Sequence, residues 1–448
     1  MAGQRRFTKV LDTASWGRGH WTLFGVVSAN YFLDGIMFSV APLLLYLVAP
    51  QDVASTIFAA NLLAEAAGAI LLGYLADRYG RKTLFTLSLT LEVIGLLLLA
   101  VDYTSTTILL IGTSLMTFGI GGEFGAAYAA IAELSPARVR GRALLMATNF
   151  WNIGSAVMAA LSLVYAGVAA DPNEQARLLI MSALGTAVVA GIARLGMPES
   201  PRWLVERGRR DEAERLVRRI TGYTGPLSME PPEAPPSVGL REALTAYRFR
   251  LAVLATLTIA QYISYDLAAY YLPYAPGFKF ESVENIYGMV VLVANLGASI
   301  GGFLMLPFID KTRRGTALSS FLGGLLAAIA LWVVHNMAGV SAVDLFYAVL
   351  FVNMIFSEWA WASLSVLQSE LFPTGIRASV VGLLTSLQGG FGALIVFLSL
   401  RMNATIMLAS ITGLWLAGFI AATAWYLKGV ESAAKTVEEL AAPERVTG

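Results

Sequence analysis

The stretch Gly73-Tyr-Leu-Ala-Asp77-Arg78-Tyr-Gly80-Arg81-Lys82 decides how the chain is read. One apolar run ends at Gly73 and another begins at Thr83, so the stretch is a short charged hairpin between two apolar segments. A charged loop between apolar runs is common. Gly, Asp, Gly and Arg together at this spacing are not. The hairpin therefore implies two membrane-spanning helices, and the flanking sequence is taken from there.

Composition agrees. The chain has 448 residues, of which 57% are hydrophobic and 14% charged. A soluble domain carries about 25% charged residues. The net charge of +1 offers no nucleic-acid footprint. The chain has no cysteine, which excludes disulfides, thiolate metal sites and cysteine nucleophiles. Its two histidines, His20 and His335, lie far apart and near helix ends, so neither a metal centre nor a cofactor is expected. The first 20 residues are polar and basic. The apolar run after them is too long for a signal peptide and lacks a cleavage site, so it is expected to stay as a spanning helix.

A spanning helix needs about 20 mostly apolar residues. Twelve stretches qualify: 21–48, 54–76, 83–101, 107–131, 143–168, 177–197, 250–273, 284–309, 316–336, 343–366, 376–400 and 404–427. With the N-terminus cytoplasmic, all but three of the 31 Lys and Arg fall on the cytoplasmic side; Arg177, Lys279 and Arg401 are the exceptions. The positive-inside rule then places both termini in the cytoplasm.

The chain also repeats itself. Asp34 and Asp266 are 232 residues apart, and Asp77 and Asp310 are 233 apart. Glu133-x-x-Pro136-x-x-x-Arg140 and Glu370-x-x-Pro373-x-x-x-Arg377 are 237 apart, and Glu199-Ser200 and Glu431-Ser432 are 232 apart. Two six-helix halves are expected, at 1–197 and 250–427, joined by 198–249 and followed by a cytoplasmic tail at 428–448. Within the connection, Arg202 to Tyr223 has the spacing of short amphipathic helices, and the Pro-rich 225–239 that of an extended linker.

Residues 73–82 fill every position of Gly-x-x-x-Asp-Arg-x-Gly-Arg-(Arg/Lys) and so resemble the signature loop of the major facilitator superfamily. Pro198-Glu-Ser-Pro-Arg-Trp-Leu204, the paired Glu-x-x-Pro-x-x-x-Arg loops and Gln261 to Tyr271 resemble the sugar porters, and Glu431 to Leu440 is a weak copy of their ending. Gly121-Gly-Glu-Phe-Gly-Ala126 is similar instead to the metabolite:proton symporters. The resemblance implies an all-α membrane protein with twelve transmembrane helices in two six-helix pseudo-repeats, the major facilitator fold. Two features depart from the family. The helix-four arginine that proton-coupled sugar porters pair with a helix-one Asp has no counterpart, and Thr113 occupies the matching region. The second signature loop is worn down to Gly302…Asp310-Lys-Thr-Arg-Arg314.

The resemblance assigns a cytoplasmic gate to Gly73, Asp77, Arg78, Arg81, Glu133, Arg140, Glu199, Arg202, Glu370 and Arg377. It suggests that Asp77 faces the positive end of helix eleven near Thr374, and that the remaining charges pair to hold the inner ends of the halves together. Each such pair contributes about 0–1 kcal/mol, which suits a latch. The other reading is that these charges only fix topology.

Six acids fall inside spanning runs: Asp34, Glu65, Glu92, Glu123, Asp266 and Glu358. No Lys or Arg is expected at their depth, since Arg194 is close to the cytoplasmic end. An ionised carboxylate there costs about 2.5–3.5 kcal/mol or more, so some of the six are expected to hold protons. Asp34 aligns with the coupling Asp of proton-driven sugar porters; its alternative is a structural hydrogen bond. Glu123, among Gly119, Gly121, Gly122 and Gly125, and Glu65, one turn from Asn61, are further proton-coupling candidates, with helix packing as their alternative. Glu92, in a peripheral helix of the superfamily, is expected to be structural.

The expected substrate site comprises Asp34, Asn61, Asn149, Asn152, Gln261, Tyr265, Asp266, Tyr270, Asn295, Glu358, Trp361 and Gln388. Aromatic faces with amides suit a polyol or an organic cation, and aromatics also serve simply as packing. The whole describes a proton-coupled symporter of a small sugar-like solute or related metabolite, working by alternating access. An organic-cation transporter or proton-coupled exporter is the alternative, and a non-transporting nutrient sensor the third. No Walker loop and no Ser-His or metal constellation points to an enzyme. The expected partners are a small-molecule substrate, the proton and the lipid bilayer, with no nucleic acid, and the expected form is a monomer in a prokaryotic inner membrane.

Overall fold

The computed structural model describes residues 5–194, 196–230, 245–337, 339–372, 374–399, 402–433 and 440, apart from the side chains at 51, 77, 124–126, 128–129, 132–133, 374–379 and 399. A short strand β1 (Arg5–Arg6) and a short helix α1 (Phe7–Thr13) precede six long helices: α2 (Arg18–Val48), α3 (Gln51–Tyr79), α4 (Arg81–Val101), α5 (Thr106–Leu134), α6 (Arg140–Val168) and α7 (Pro172–Arg194). Two short helices, α8 (Pro201–Glu206) and α9 (Arg210–Thr221), and a strand β2 (Leu227–Ser228) follow. Six more long helices complete the chain: α10 (Arg248–Asp266), α11 (Ile286–Met305), α12 (Arg313–Met337), α13 (Val343–Glu370), α14 (Thr374–Ser399) and α15 (Ala404–Lys428). Eleven helical stretches among the described residues are long and apolar enough to span a membrane, and the 29-residue α5 makes the twelfth. Each overlaps one of the twelve apolar runs in the sequence.

The helices are apolar on outward faces as well as inward ones. Leu71, Val188, Ile192, Leu326 and Ile420 are all more than half exposed, as a lipid-facing surface requires. Within each half, contact depends on small residues. Gly119 of α5 faces Ser88 and Glu92 of α4, and Gly121 lies on the backbone of Glu65 in α3, where a Cβ would collide. These two glycines bring α3 and α4 against the α5 segment that carries Glu123. The halves meet mainly where α3 packs on α14 and α6 on α11.

At the end of the bundle that carries both chain termini, α9 buries Ala213, Leu216, Val217 and Ile220 beside Phe7, Val10 and Leu11 of α1. Its charged face points away, and Gly222 ends it in the left-handed conformation (φ 71°). Strand β1 pairs in parallel with β2, tying the N-terminal segment to the connection between the halves. Beyond Asp266 the last turns of α10 widen into a π-helical segment, Leu267–Tyr271, before a 3₁₀ turn at Leu272–Tyr274. Such widening is frequent at functional sites, and all five of its residues are buried here.

Candidate transport site and buried charge cluster

The inner charges of the first half gather around one guanidinium. Arg194, the last residue of α7, turns its side chain into the bundle, where it is only 6% exposed. It grips Glu123 of α5 with both terminal nitrogens, at 2.8 and 2.9 Å. It also donates to the Phe85 carbonyl of α4 at 2.6 Å and lies 3.7 Å from Asp34 of α2. Asn30 bridges the two acids, donating to Asp34 at 3.1 Å and also to Glu123. Ser88 of α4 donates to the other oxygen of Glu123. Glu92, fully buried on α4, completes the group: its carboxylate and those of Asp34 and Glu123 each place an oxygen within 4.8 Å of the others. Neither Glu92 oxygen has a hydrogen-bond partner.

Two expectations are corrected here. Arg194 does not belong with the cytoplasmic surface charges; its long side chain reaches the acids and supplies the counter-ion that the sequence seemed to lack. Glu92 is not peripheral, because the close approach of α4 and α5 at Gly119 brings it into the cluster. Thr113, in the region where the family carries its helix-four arginine, instead donates to Asn61 at 3.0 Å.

The second site is a cavity of about 60 Å³ between the halves. The first half contributes Tyr31 and Phe38 of α2 and Thr148, Trp151 and Asn152 of α6. The second contributes Gln261, Tyr262, Tyr265 and Asp266 of α10 and Glu358 and Trp361 of α13. Asn152 donates to Glu358 across the halves at 2.9 Å, and the Tyr262 hydroxyl reaches both oxygens of Glu65 at 2.9 Å. Tyr265 donates to Asn295 at 2.8 Å. Among the described residues, no Lys, Arg or His lines the cavity.

Of the residues expected to meet substrate, Asn152, Gln261, Tyr265, Asp266, Glu358 and Trp361 lie in this wall. Asn61 and Tyr270 line a smaller neighbouring cavity. Asn295 stands behind Tyr265, and Asn149 donates to the Ser299 carbonyl at 3.1 Å where α6 crosses α11. Gln388 is buried in α14 outside both cavities, and Asp34 belongs to the charge cluster. Tyr262, one turn before Asp266, lies in the wall as well, whereas Tyr31, Phe38, Thr148 and Trp151 carry no mark of a cavity in the sequence, because an aromatic or Thr in an apolar helix looks like packing.

At the termini end the two halves repeat one contact. Glu199 accepts from the backbone N–H groups of Arg81 and Lys82 at 2.9 and 3.3 Å, at the start of α4. Glu431 accepts from Arg313 and Arg314 at 2.8 and 3.3 Å, at the start of α12. Each carboxylate satisfies orphan donors at the positive end of a helix. The Glu199 contact also explains a signature glycine. Gly80 has φ 95°, and a Cβ there would meet the Glu199 carboxylate. Around Gly73, by contrast, there is open space.

The remaining gate residues pair within their own halves. Arg140 meets Asp12 of α1 at 2.6 Å, and Glu370 accepts from Arg313 at 3.0 Å and Ser432 at 2.7 Å. Arg78 and Arg202 make no ion pair among the described residues, and the Arg81 contact described above runs through its backbone. Among the described residues, the ion pair that spans the halves is Arg142–Asp310 at 3.0 Å, with Asp310 fitting the space left by Gly141. The side chains of Asp77, Glu133 and Arg377 lie outside the described residues.

At the opposite end aromatic rings close the gap. Tyr46 stacks on Tyr287 with ring centroids 4.5 Å apart, Phe58 meets Tyr271 at 4.9 Å, and Tyr274 donates to the Pro42 carbonyl at 2.8 Å.

This layout, a cavity between two pseudo-symmetric halves with contacts at both ends, is matched by known proteins. Residues 48–442 fit the family described as sugar (and other) transporter. The chain belongs to that family. Among its relatives, the niacin transporter NiaP of Acinetobacter baylyi is 26% identical over 397 residues, covering 85% of this chain and 87% of that protein. The inner membrane metabolite transport protein YgcS of Escherichia coli is 28% identical over 387 residues, covering 84% and 83%. The major facilitator superfamily proton:xylose symporter XylE, solved with 6-bromo-6-deoxy-D-glucose, superposes with a TM-score of 0.73 at 20% identity, covering 94% of this chain and 98% of XylE. That likeness establishes the fold. Membership of the family makes the chain a multi-pass membrane transporter of sugars or metabolites rather than an enzyme.

Proposed function

We propose that this protein is a proton-coupled symporter that carries a small organic solute, sugar-like or another non-anionic metabolite, through the cavity between its halves. The observation that supports it is the cluster of Asp34, Glu92 and Glu123 around Arg194. One guanidinium balances one carboxylate, and Glu123 takes it bidentately. Asp34 and Glu92 are then places where a proton is held, because a second carboxylate beside one guanidinium would be an unpaired buried charge. Asp34 is placed to pass that change on. It sits on α2 between Tyr31 and Phe38, three residues before it and four after, and both line the cavity. Loading or unloading Asp34 thus acts on the helix that forms one wall of the solute site.

The solute is non-anionic because the wall carries Asp266 and Glu358 and no cation. Alternating access follows as rocking of the halves: the Arg142–Asp310 pair opens for one phase and the aromatic contacts at the far end for the other. We place both termini in the cytoplasm, in an inner membrane, because the termini end carries nearly all of the Lys and Arg. The reading is tested by solid-supported-membrane currents from proteoliposomes challenged with neutral polyols, carboxylic acids and amines, with and without a pH gradient. A solute-evoked current that depends on the gradient and is lost in Asp34→Asn is the expected result. A current that ignores the gradient, or one that survives Asp34→Asn unchanged, overturns the coupling assignment.

A further inference from the structure

The hydrogen-bonding atoms of the cavity wall divide unevenly. Four of its donor side chains are occupied. Asn152 Nδ2 donates to Glu358 at 2.9 Å and to Asn149 at 3.3 Å, and Gln261 Nε2 donates to Ser357 Oγ at 3.2 Å. The hydroxyls of Tyr262 and Tyr265 are given to Glu65 and Asn295. Three acceptors are left over. Gln261 Oε1, Asp266 Oδ2 and Glu358 Oε1 are buried and meet no donor, and the three residues are 4%, 3% and 5% exposed. Two of them belong to carboxyl groups, and among the described residues no cation lines the cavity.

A buried acceptor without a donor is costly, and native interiors rarely keep one without a reason. Three in one cavity wall call for a small ligand that brings donors. A polyol answers this poorly. It brings no charge to set against two carboxyl groups, and each of its hydroxyls also presents an acceptor oxygen, while the donors of Asn152, Gln261, Tyr262 and Tyr265 are already engaged. An ammonium group is donor-only, balances the carboxyl groups, and is attracted to the aromatic faces that Phe38, Trp151 and Trp361 supply.

We propose that the cavity takes an organic cation with N–H donors, a primary or secondary amine on a small apolar body. Its ammonium group bonds to Asp266, Glu358 and the Gln261 carbonyl. This rests on the reading of the cavity as the transport site and narrows its substrate class.

The test is binding to the full-length protein in detergent, read by tryptophan fluorescence, since Trp151 and Trp361 line the cavity. The probes are matched pairs, n-butylamine with 1-butanol and 2-phenylethylamine with 2-phenylethanol, beside 3-phenylpropionate and myo-inositol. The amine of at least one pair should bind at least about tenfold more tightly than its alcohol, and the acid should not bind. Asp266→Asn and Glu358→Gln, near-isosteric changes, should each weaken that amine by about tenfold or more. Glu212→Gln, at a half-exposed side chain of α9 away from the wall, should leave it within about twofold.

Amines that bind no better than their alcohols, or not at all, overturn the cation assignment. So does preferential binding of myo-inositol, and in that case the cavity stands as the transport site if Asp266→Asn or Glu358→Gln weakens the inositol. If neither substitution moves the affinity of whichever probe binds, the cavity is not the site, and both readings fall.

Discussion

Asp34 and Asp266 stand 232 residues apart at matching places in the two halves, and the structure gives them opposite surroundings. Asp34 faces Arg194 at 3.7 Å, shares Asn30 with Glu123 and has Glu92 beside it. Asp266 lines the cavity, where no described residue is a cation, and keeps one oxygen without a partner among the described residues. The positions that build the first site are changed in the second half. At an offset of 232, Asn30 becomes Tyr262, Glu92 becomes Gly324 and Arg194 becomes Tyr426. The termini end keeps the symmetry: Glu199 on Arg81 and Lys82 is reproduced as Glu431 on Arg313 and Arg314. The repeat is kept at the termini end and lost around the buried acids, as the proposed division between a proton site and a solute site requires.

The comparison can be broken most forcefully at Arg194. Removing one partner of a buried, hydrogen-bonded ion pair costs about 3–5 kcal/mol. Arg194→Met should therefore lower the thermal unfolding temperature in detergent sharply, and Arg194→Met with Glu123→Gln should recover most of the loss. Equal loss in the single and double variants would mean that Arg194 serves packing rather than charge balance.

Next comes the bond across the halves. Tyr262→Phe removes the hydroxyl that Glu65 accepts, an interaction of about 1.5–3 kcal/mol for a charged partner. The closed arrangement should weaken accordingly. Because the chain has no native cysteine, a single Ala41→Cys in the smaller cavity can be followed by maleimide labelling. Its rate should rise about tenfold or more in the Tyr262→Phe background. An unchanged rate would place the closing energy elsewhere.

The smallest effect sharpens the symmetric end. Glu199→Gln and Glu431→Gln should each cost about 0.3–1 kcal/mol, as a charge removed from a helix N-terminus does, and by similar amounts in the two halves. Burial opposes the charge of Glu431. The bonds from the Arg313 backbone, the Thr312 hydroxyl and the Ala433 and Arg314 backbones outweigh it, so the carboxyl lies below its ordinary 4.5. A carboxyl held low contributes its stability above the unfolded value and loses it as pH falls through the folded one. Unfolding followed from pH 7 downward should thus show the wild type's advantage over Glu431→Gln intact near neutrality and fading below 4.5. An advantage that persists at lower pH would remove the charge from the explanation.

Much of this was readable in the sequence, for physical reasons that also mark where reading stopped. Twelve apolar runs of spanning length leave one architecture for a chain without cysteine and with paired motifs, because backbone groups in lipid have to be satisfied within helices. Glu199 and Glu431 were visible as a repeat, although their contact with helix starts was not, since the carboxylate folds back over more than a hundred residues of chain. Arg194 was misplaced because a residue at the end of an apolar run was taken to stay at that end. Several carboxylates without a counter-ion in one half were themselves the signal that a long cation had to reach in. Glu92 was set aside on the expected position of its helix, and the Gly119 contact overrode that. In the cavity, the polar residues of α10 and α13 stood out against apolar neighbours, whereas Tyr31, Phe38 and Trp151 carry no mark that separates a wall from a core.

The central claim is that protons and solute are handled by two different aspartates of one repeat. The most direct measurement compares Asp34→Asn with Asp266→Asn in proteoliposomes, using the solute that the wild type transports from the panel of polyols, acids and amines. Both gradient-driven uptake and solute counterflow at equal pH are followed. Asp34→Asn should lose gradient-driven accumulation by about tenfold or more while keeping counterflow, and Asp266→Asn should lose both. Counterflow lost in Asp34→Asn, or both activities kept in Asp266→Asn, would contradict the division.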